Sequence, residues 1–263
     1  MDRMLALQMV ALFFLCNFFG LIIADVFIGE NINAGIVSDN PDDVNNVLAM
    51  IAYILVVTAV FLFIVVYLKF SFMAYALEFL ALSSALLVFL AIFLPGAELL
   101  IAAPLLALKY LWGKSAMLKN ICAFAAVSVA GPLIGVSLGT IPVLLFIIAI
   151  SLYDIFAVFG TRHMVKLAKN ITGMNLAFTF TLFSSKREFE LGTGDIAIPL
   201  AFAASTLKFS PNPIVAVPLA LFASLFGLLL TLKIAEVKNI PLPALPLQGA
   251  LMVVAWVVSS AFS

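Results

Sequence analysis

The sequence predicts an all-α polytopic membrane protein: nine transmembrane helices forming a single membrane domain over residues 1–263, N-terminus cytoplasmic, C-terminus outside. Three observations predict it. Of the 263 residues, 65% are hydrophobic and 10% charged, where a soluble domain has about 45–50% apolar and about 25% charged residues. A water-soluble fold of this size cannot hide that much apolar surface. The apolar residues also come in continuous runs, with room for about nine crossings at ~20 residues each, and without the alternation over ~10 residues of barrel strands. Finally, Lys and Arg collect on one side of the threaded chain. An ordinary cytoplasmic enzyme and a disordered chain are excluded. The formal net charge of zero provides no basic field for nucleic acid.

The first run, residues 4–24, follows Met1-Asp2-Arg3. It exceeds a typical signal-peptide core, and Ile22-Ile23-Ala24 lacks a small residue at −3, so it reads as a retained helix. The other spans are 47–68, 71–94, 97–112, 121–138, 141–160, 193–209, 213–233 and 241–262. Pro95-Gly96, Gly139-Thr140 with Pro142, and Ser210-Pro211-Asn212-Pro213 are the breakers expected between helices. The chain divides into helices one to six (1–160), a loop (161–192) and helices seven to nine (193–263).

The loop 25–46 holds Asp25, Glu30, Asp39, Asp42 and Asp43 and no basic residue. The loop 161–192 holds Arg162, Lys166, Lys169, Lys186 and Arg187. Within it Met174 to Phe183 is apolar but too short to cross, and the Phe178-Thr179-Phe180-Thr181 alternation fits an interfacial helix or an extended segment. With the N-terminus inside, Arg3, Lys69, Lys109, Lys114, Lys119, the loop cations, Lys233 and Lys238 are cytoplasmic and only Lys208 is outside. Asn170-Ile171-Thr172 is then a chance sequon on the cytoplasmic side. Cys16 and Cys122 lie in apolar runs and read as packing residues.

Three acids fall within spans: Glu78, Asp154 and Asp195. An ionisable group costs about 2.5 kcal/mol or more in the bilayer and marks function by default. Asp154 lies near the cytoplasmic end of helix six and Asp195 near the same end of helix seven, at depths of roughly 9 Å and 6 Å. Two carboxylates held close in low dielectric share a proton. The ionised one takes a proton from water while the protonated one donates to a carbonyl, an acid–base pair suited to peptide hydrolysis. The same acids equally suit a proton or cation site in an ion or solute transporter or leak channel.

Tyr153-Asp154, then Gly192-Thr193-Gly194-Asp195, then Pro243-Ala244-Leu245, on the sixth, seventh and ninth helices, together resemble the presenilin and signal peptide peptidase family of intramembrane aspartyl proteases. The resemblance spans the nine-helix layout. It implies an aspartic-type endopeptidase that cuts transmembrane segments, with Asp154 and Asp195 catalytic and Pro243-Ala244-Leu245 in the substrate site. It also implies a minimal microbial homologue in a prokaryotic cell membrane. The cytoplasmic N-terminus matches presenilin, which favours single-span substrates with an outside N-terminus. Thr193 departs from the larger apolar residues common at its position and bears on specificity.

Physical reasoning adds detail. Gly192 and Gly194 leave room beside Asp195. Tyr153 offers a hydroxyl near the pair or a packing surface. Pro241, Pro243 and Pro246 interrupt helical hydrogen bonding, so carbonyls there could pair with an extended substrate. Glu78 reads either as a third acid in the same cavity or as a group hydrogen-bonded within the bundle. His163 reads as a solvated loop residue. No His-Glu-x-x-His points to a metal, and Ser137, Ser151 and Ser205 lack a Gly-x-Ser-x-Gly setting. The expected partners are transmembrane-helix substrates and the lipid bilayer, with no nucleic acid, no cofactor, and a homo-oligomer left open.

Overall fold

The computed structural model describes residues 3–32, 34, 38, 40–62, 71–112, 115–156, 159, 176–183, 188–238 and 242–261. Among these lie nine helices: α1 (Arg3–Gly29), α2 (Val44–Leu62), α3 (Ser71–Phe93), α4 (Glu98–Leu111), α5 (Ala116–Ser137), α6 (Thr140–Ile155), α7 (Gly194–Phe209), α8 (Pro213–Lys238) and α9 (Leu245–Ser260). A hairpin of two antiparallel strands, β1 (Thr179–Phe183) and β2 (Glu188–Gly192), stands between α6 and α7. By length and composition α1, α3, α5 and α8 can each cross a membrane, while α2, α6 and α9 are shorter apolar helices. Many large apolar side chains face outward, among them Phe18 (63% exposed) and Phe226 (61%), as a lipid-facing surface requires.

Several boundaries differ from the sequence expectation. Helix α1 runs on to Gly29, so Asp25 belongs to the helix rather than to the following loop. Nothing between Ala24 and Gly29 breaks a helix; the chain turns at Asn31, whose φ of 52° is left-handed. Helix α8 continues to Lys238, because the next proline is Pro241. Helix α9 starts only at Leu245, since Pro243 cannot extend a helix behind it. Lys69, Lys114, Arg162, His163, Lys166, Lys169, the Asn170 sequon, Lys186, Arg187 and Pro241 lie outside the described residues.

Helix α5 is the centre of the packing, touching α1, α3, α7 and β1. Gly131 and Gly135, one turn apart on α5, face the backbone of α7. A Cβ at residue 131 would lie 2.9 Å from the Ala197 carbonyl oxygen, and one at residue 135 would overlap that of Ala201. In an apolar solvent helices associate by such close backbone approach rather than by hydrophobic burial. Farther along, Ser205 Oγ donates to the Leu138 carbonyl (2.9 Å) and Lys208 Nζ to the Val136 carbonyl (2.8 Å). Helix α7 is thus fixed along its length against α5. Helix α6 packs on α2, α7 and α9, and α8 packs on α7 and α9.

Candidate active site

Asp154 sits in the last turn of α6 and Asp195 in the first turn of α7. The two helices are in contact. Both side chains are partly buried. The two acids therefore stand at the ends of neighbouring helices. Tyr153, beside Asp154, is 37% exposed.

The hairpin delivers Asp195 to this place. Its register pairs Thr179 with Gly192 and Phe183 with Glu188. The ladder continues one step further: Thr193 donates both its backbone N–H (3.1 Å) and its hydroxyl (2.9 Å) to the Phe178 carbonyl. Gly192-Thr193-Gly194 is thus the passage from strand to helix, and the Thr193 side chain ties it down. A Cβ at Gly192 would lie 3.3 Å from Asp195 Oδ2, so the glycine keeps one face of the carboxylate open. A Cβ at Gly194 would meet nothing within 4 Å, so the space beside it is open.

Two buried charged clusters hold the hairpin. Lys119 on α5, 3% exposed, donates to Thr181 Oγ1 (2.9 Å) and to Glu190 Oε2 (2.6 Å). Glu190 also accepts from the hydroxyls of Thr181 (2.7 Å) and Thr179. Burial works against the Glu190 charge, but the hydrogen bonds from Lys119, Thr179 and Thr181 outweigh it and hold the carboxyl below its ordinary range. The second cluster centres on Glu78 of α3. It accepts the Ala177 N–H (2.5 Å) and the Tyr110 hydroxyl (3.1 Å) and forms an ion pair with Lys109 (2.5 Å). Glu78 and Lys109 are 1% and 4% exposed. Of the two readings of Glu78, the one hydrogen-bonded within the bundle is correct: it anchors the chain entering β1. Lys109 and Lys119, counted from sequence among the cytoplasmic charges, are both buried. The available signal was their position at the ends of apolar runs, because a buried charge needs a partner; which partner was not legible.

The edges of the hairpin are unequal. On β1, the Asn120 amide pairs with both the N–H and the carbonyl of Thr181 (2.8 and 2.8 Å). The Gln8 amide does the same for Phe183 (2.8 and 3.2 Å). Side chains from α5 and α1 thereby stand in for a neighbouring strand. Residues 188, 190 and 192 of β2 point the other way, and among the described residues nothing pairs with that edge.

The start of α9 completes the site. Ala244 and Leu245 are buried, at 8% and 7% exposure. One turn on, Gln248 Nε2 donates to the Asp195 backbone carbonyl (3.2 Å). Sequence reasoning missed Gln248; the signal was a lone amide in an otherwise apolar helix. Between α6 and α9 lies an apolar cavity of about 220 Å³, lined by Ile147, Ser151 and Ile155 on one side and Pro246, Gly249 and Val253 on the other.

The family description "Signal-peptide peptidase, presenilin aspartyl protease" matches residues 10–263. The chain belongs to that family. This presenilin-type chain is an intramembrane aspartic-type endopeptidase and an integral membrane protein that cleaves transmembrane substrates, which sets aside the transporter reading. Solved structures of "a presenilin family intramembrane aspartate protease" share its fold. One, in space group C222, has 21% identity and a TM-score of 0.72, covering 98% of this chain and 99% of that one. Another, in space group P2, has 23% identity and a TM-score of 0.66, covering 95% and 97%. No curated protein matches.

Proposed function

We propose that Asp154 and Asp195 are the catalytic pair of this protease. The observation carrying the reading is that two carboxylates stand in the end turns of two touching helices, one of them beside an open glycine face. The ionised carboxylate removes a proton from water as its oxygen attacks the scissile carbonyl. The protonated one donates to the carbonyl oxygen, and collapse of the tetrahedral intermediate with a proton passed to the amide nitrogen breaks the C–N bond. A peptide bond inside a helix is shielded by its own hydrogen bonding, so the substrate must be unwound first. The unpaired edge of β2 offers an extended segment backbone partners and leads directly to Asp195. Pro243-Ala244-Leu245 and the strand-to-helix passage Gly192-Thr193-Gly194 flank that segment. Tyr153, exposed beside Asp154, contributes to the substrate site, and the apolar cavity between α6 and α9 accepts a substrate side chain.

The finer topology is part of the same reading. The single membrane domain crosses nine times, with a cytoplasmic N-terminus and an outside C-terminus, in a prokaryotic cell membrane. The substrates it favours are single-span proteins with an outside N-terminus. The test is incubation of the purified protein with a transmembrane peptide and mass spectrometry of the products. Asp154→Asn and Asp195→Asn are each expected to abolish cleavage while the bundle stays folded. Near-parent turnover by either variant overturns the assignment.

A further inference from the structure

Asp195 lies in the first turn of α7, and its backbone carbonyl should accept the N–H of residue 199. Residue 199 is proline, buried inside α7, and has no N–H to give. The carbonyl is left without its helical donor at the very residue whose side chain does the chemistry. Gln248 fills the gap from another helix: its Nε2 donates to that oxygen at 3.2 Å.

The surroundings show that this amide acts as a donor. Gln248 is 0% exposed. Because a carbonyl only accepts, the bond to Asp195 fixes which end of the amide is nitrogen. The other end, Oε1, is buried and has no hydrogen-bond partner among the described residues. An unpaired buried acceptor is unfavourable, and an apolar residue of the same size would avoid it; what the amide adds is the donor. The backbone at Gln248 is also held. A Cβ at Gly227 of α8 would lie 2.9 Å from Gln248 Cα, so α8 lies directly against it, while Gln248 N–H donates to the Ala244 carbonyl (3.2 Å).

We propose that Gln248 is a positioning residue for the active site: it replaces the hydrogen bond removed by Pro199 and thereby sets the first turn of α7 and the aim of the Asp195 carboxylate. The inference rests on Asp195 being one of the catalytic pair. It makes α9 part of the machinery through a route separate from any contact of Pro243-Ala244-Leu245 with substrate.

The test uses Gln248→Met, which keeps the size and removes the donor, in the full chain reconstituted in lipid, with a transmembrane peptide as substrate. Turnover is expected to fall about tenfold with KM within about twofold and the fold intact by thermal unfolding. In a Pro199→Ala background, where residue 199 regains its N–H, the same change is expected to cost less than about twofold. In protein labelled with 13C at aspartate carbonyls, the difference infrared spectrum of Gln248→Met against parent is expected to show one carbonyl moved to higher frequency. An unmoved carbonyl band overturns the bond, independently of activity. Unchanged turnover, a rise in KM alone, or an equal cost in both backgrounds overturns the positioning role. Asp195→Asn runs alongside: an active Asp195→Asn protein refutes the catalytic pair, whereas an inactive one with a fully active Gln248→Met protein refutes only the role of Gln248.

Discussion

Lys109→Met removes the cation from the Glu78 cluster. The ion pair is short (2.5 Å) and both partners are almost wholly buried, at 4% and 1% exposure. Removing one member of such a pair leaves an uncompensated buried charge, at a cost of about 3–5 kcal/mol. The Tyr110 hydroxyl and the Ala177 N–H still reach Glu78, so the lower end of that range is expected, a shift of roughly two powers of ten in the folding equilibrium at 1.4 kcal/mol per tenfold. Replacing Glu78 and Lys109 together by Met removes the stranded charge and should recover most of the loss. A residue of about 1 kcal/mol should remain from the missing bond to Ala177. The assay is equilibrium unfolding in mixed micelles by titration with a denaturing detergent, run on parent, single and double variants. An unchanged midpoint for Lys109→Met, or a double variant no more stable than the single, refutes the view that this pair is a buried anchor. Turnover in the double variant should also fall, because the chain entering β1 is released.

Five further outcomes follow from the geometry. Gly192→Ala places a Cβ 3.3 Å from Asp195 Oδ2 and should lower turnover roughly three- to tenfold through a small displacement of the carboxylate, read in steady-state cleavage assays. Leu245→Glu, at a position only 7% exposed, should cut turnover strongly. With Cys16 and Cys122 replaced, cysteines at 245 and 195 should cross-link in the membrane, and failure to do so in a folded protein would separate α9 from the site. Glu188→Pro removes an N–H from the unpaired edge of β2, where proline is tolerated, and should raise KM for an extended substrate without unfolding the protein. Glu190 has a carboxyl held below its ordinary value, so its contribution to hairpin stability is present above about pH 4.3 and fades as pH falls toward the folded value. Hydrogen exchange at the Thr181 amide, corrected for intrinsic rates, should accelerate on that acid limb in the parent and lose the dependence in Glu190→Gln.

The class of fold was legible because the apolar runs and their breakers act locally. Gly131 and Gly135 have the Gly-x-x-x-Gly spacing of a close helix contact, but that spacing does not name the partner. Their role depends on which backbone lies opposite, and that follows from tertiary packing alone. The acids at 154 and 195 stood out because charge in an apolar run has few explanations. Glu78 stood out for the same reason but was ambiguous, since its partners Lys109, Tyr110 and Ala177 come from two other segments, one of them 99 residues away. The segment around Thr179 to Phe183 was correctly seen as too short to cross, yet its strand partner was hidden. Glu188 to Gly192 alternates Glu-Phe-Glu-Leu, but five residues ending in glycine do not say what they pair with; β1 and Lys119 hold the segment as a strand. Gln248 escaped notice because a single amide in an apolar helix has no visible purpose until the helix opposite shows a proline.

The amides of Gln8 and Asn120 have a consequence for how many strands the hairpin can hold. They close one side of a two-stranded sheet from α1 and α5, which leaves the β2 edge without a partner among the described residues. A peptide that enters as a strand at β2 occupies that edge. An inhibitor built as a strand mimic would compete with substrate one for one, and a second copy of the protease could not extend the sheet through β1. Edge strands elsewhere invite open-ended pairing; here the β1 edge is already closed.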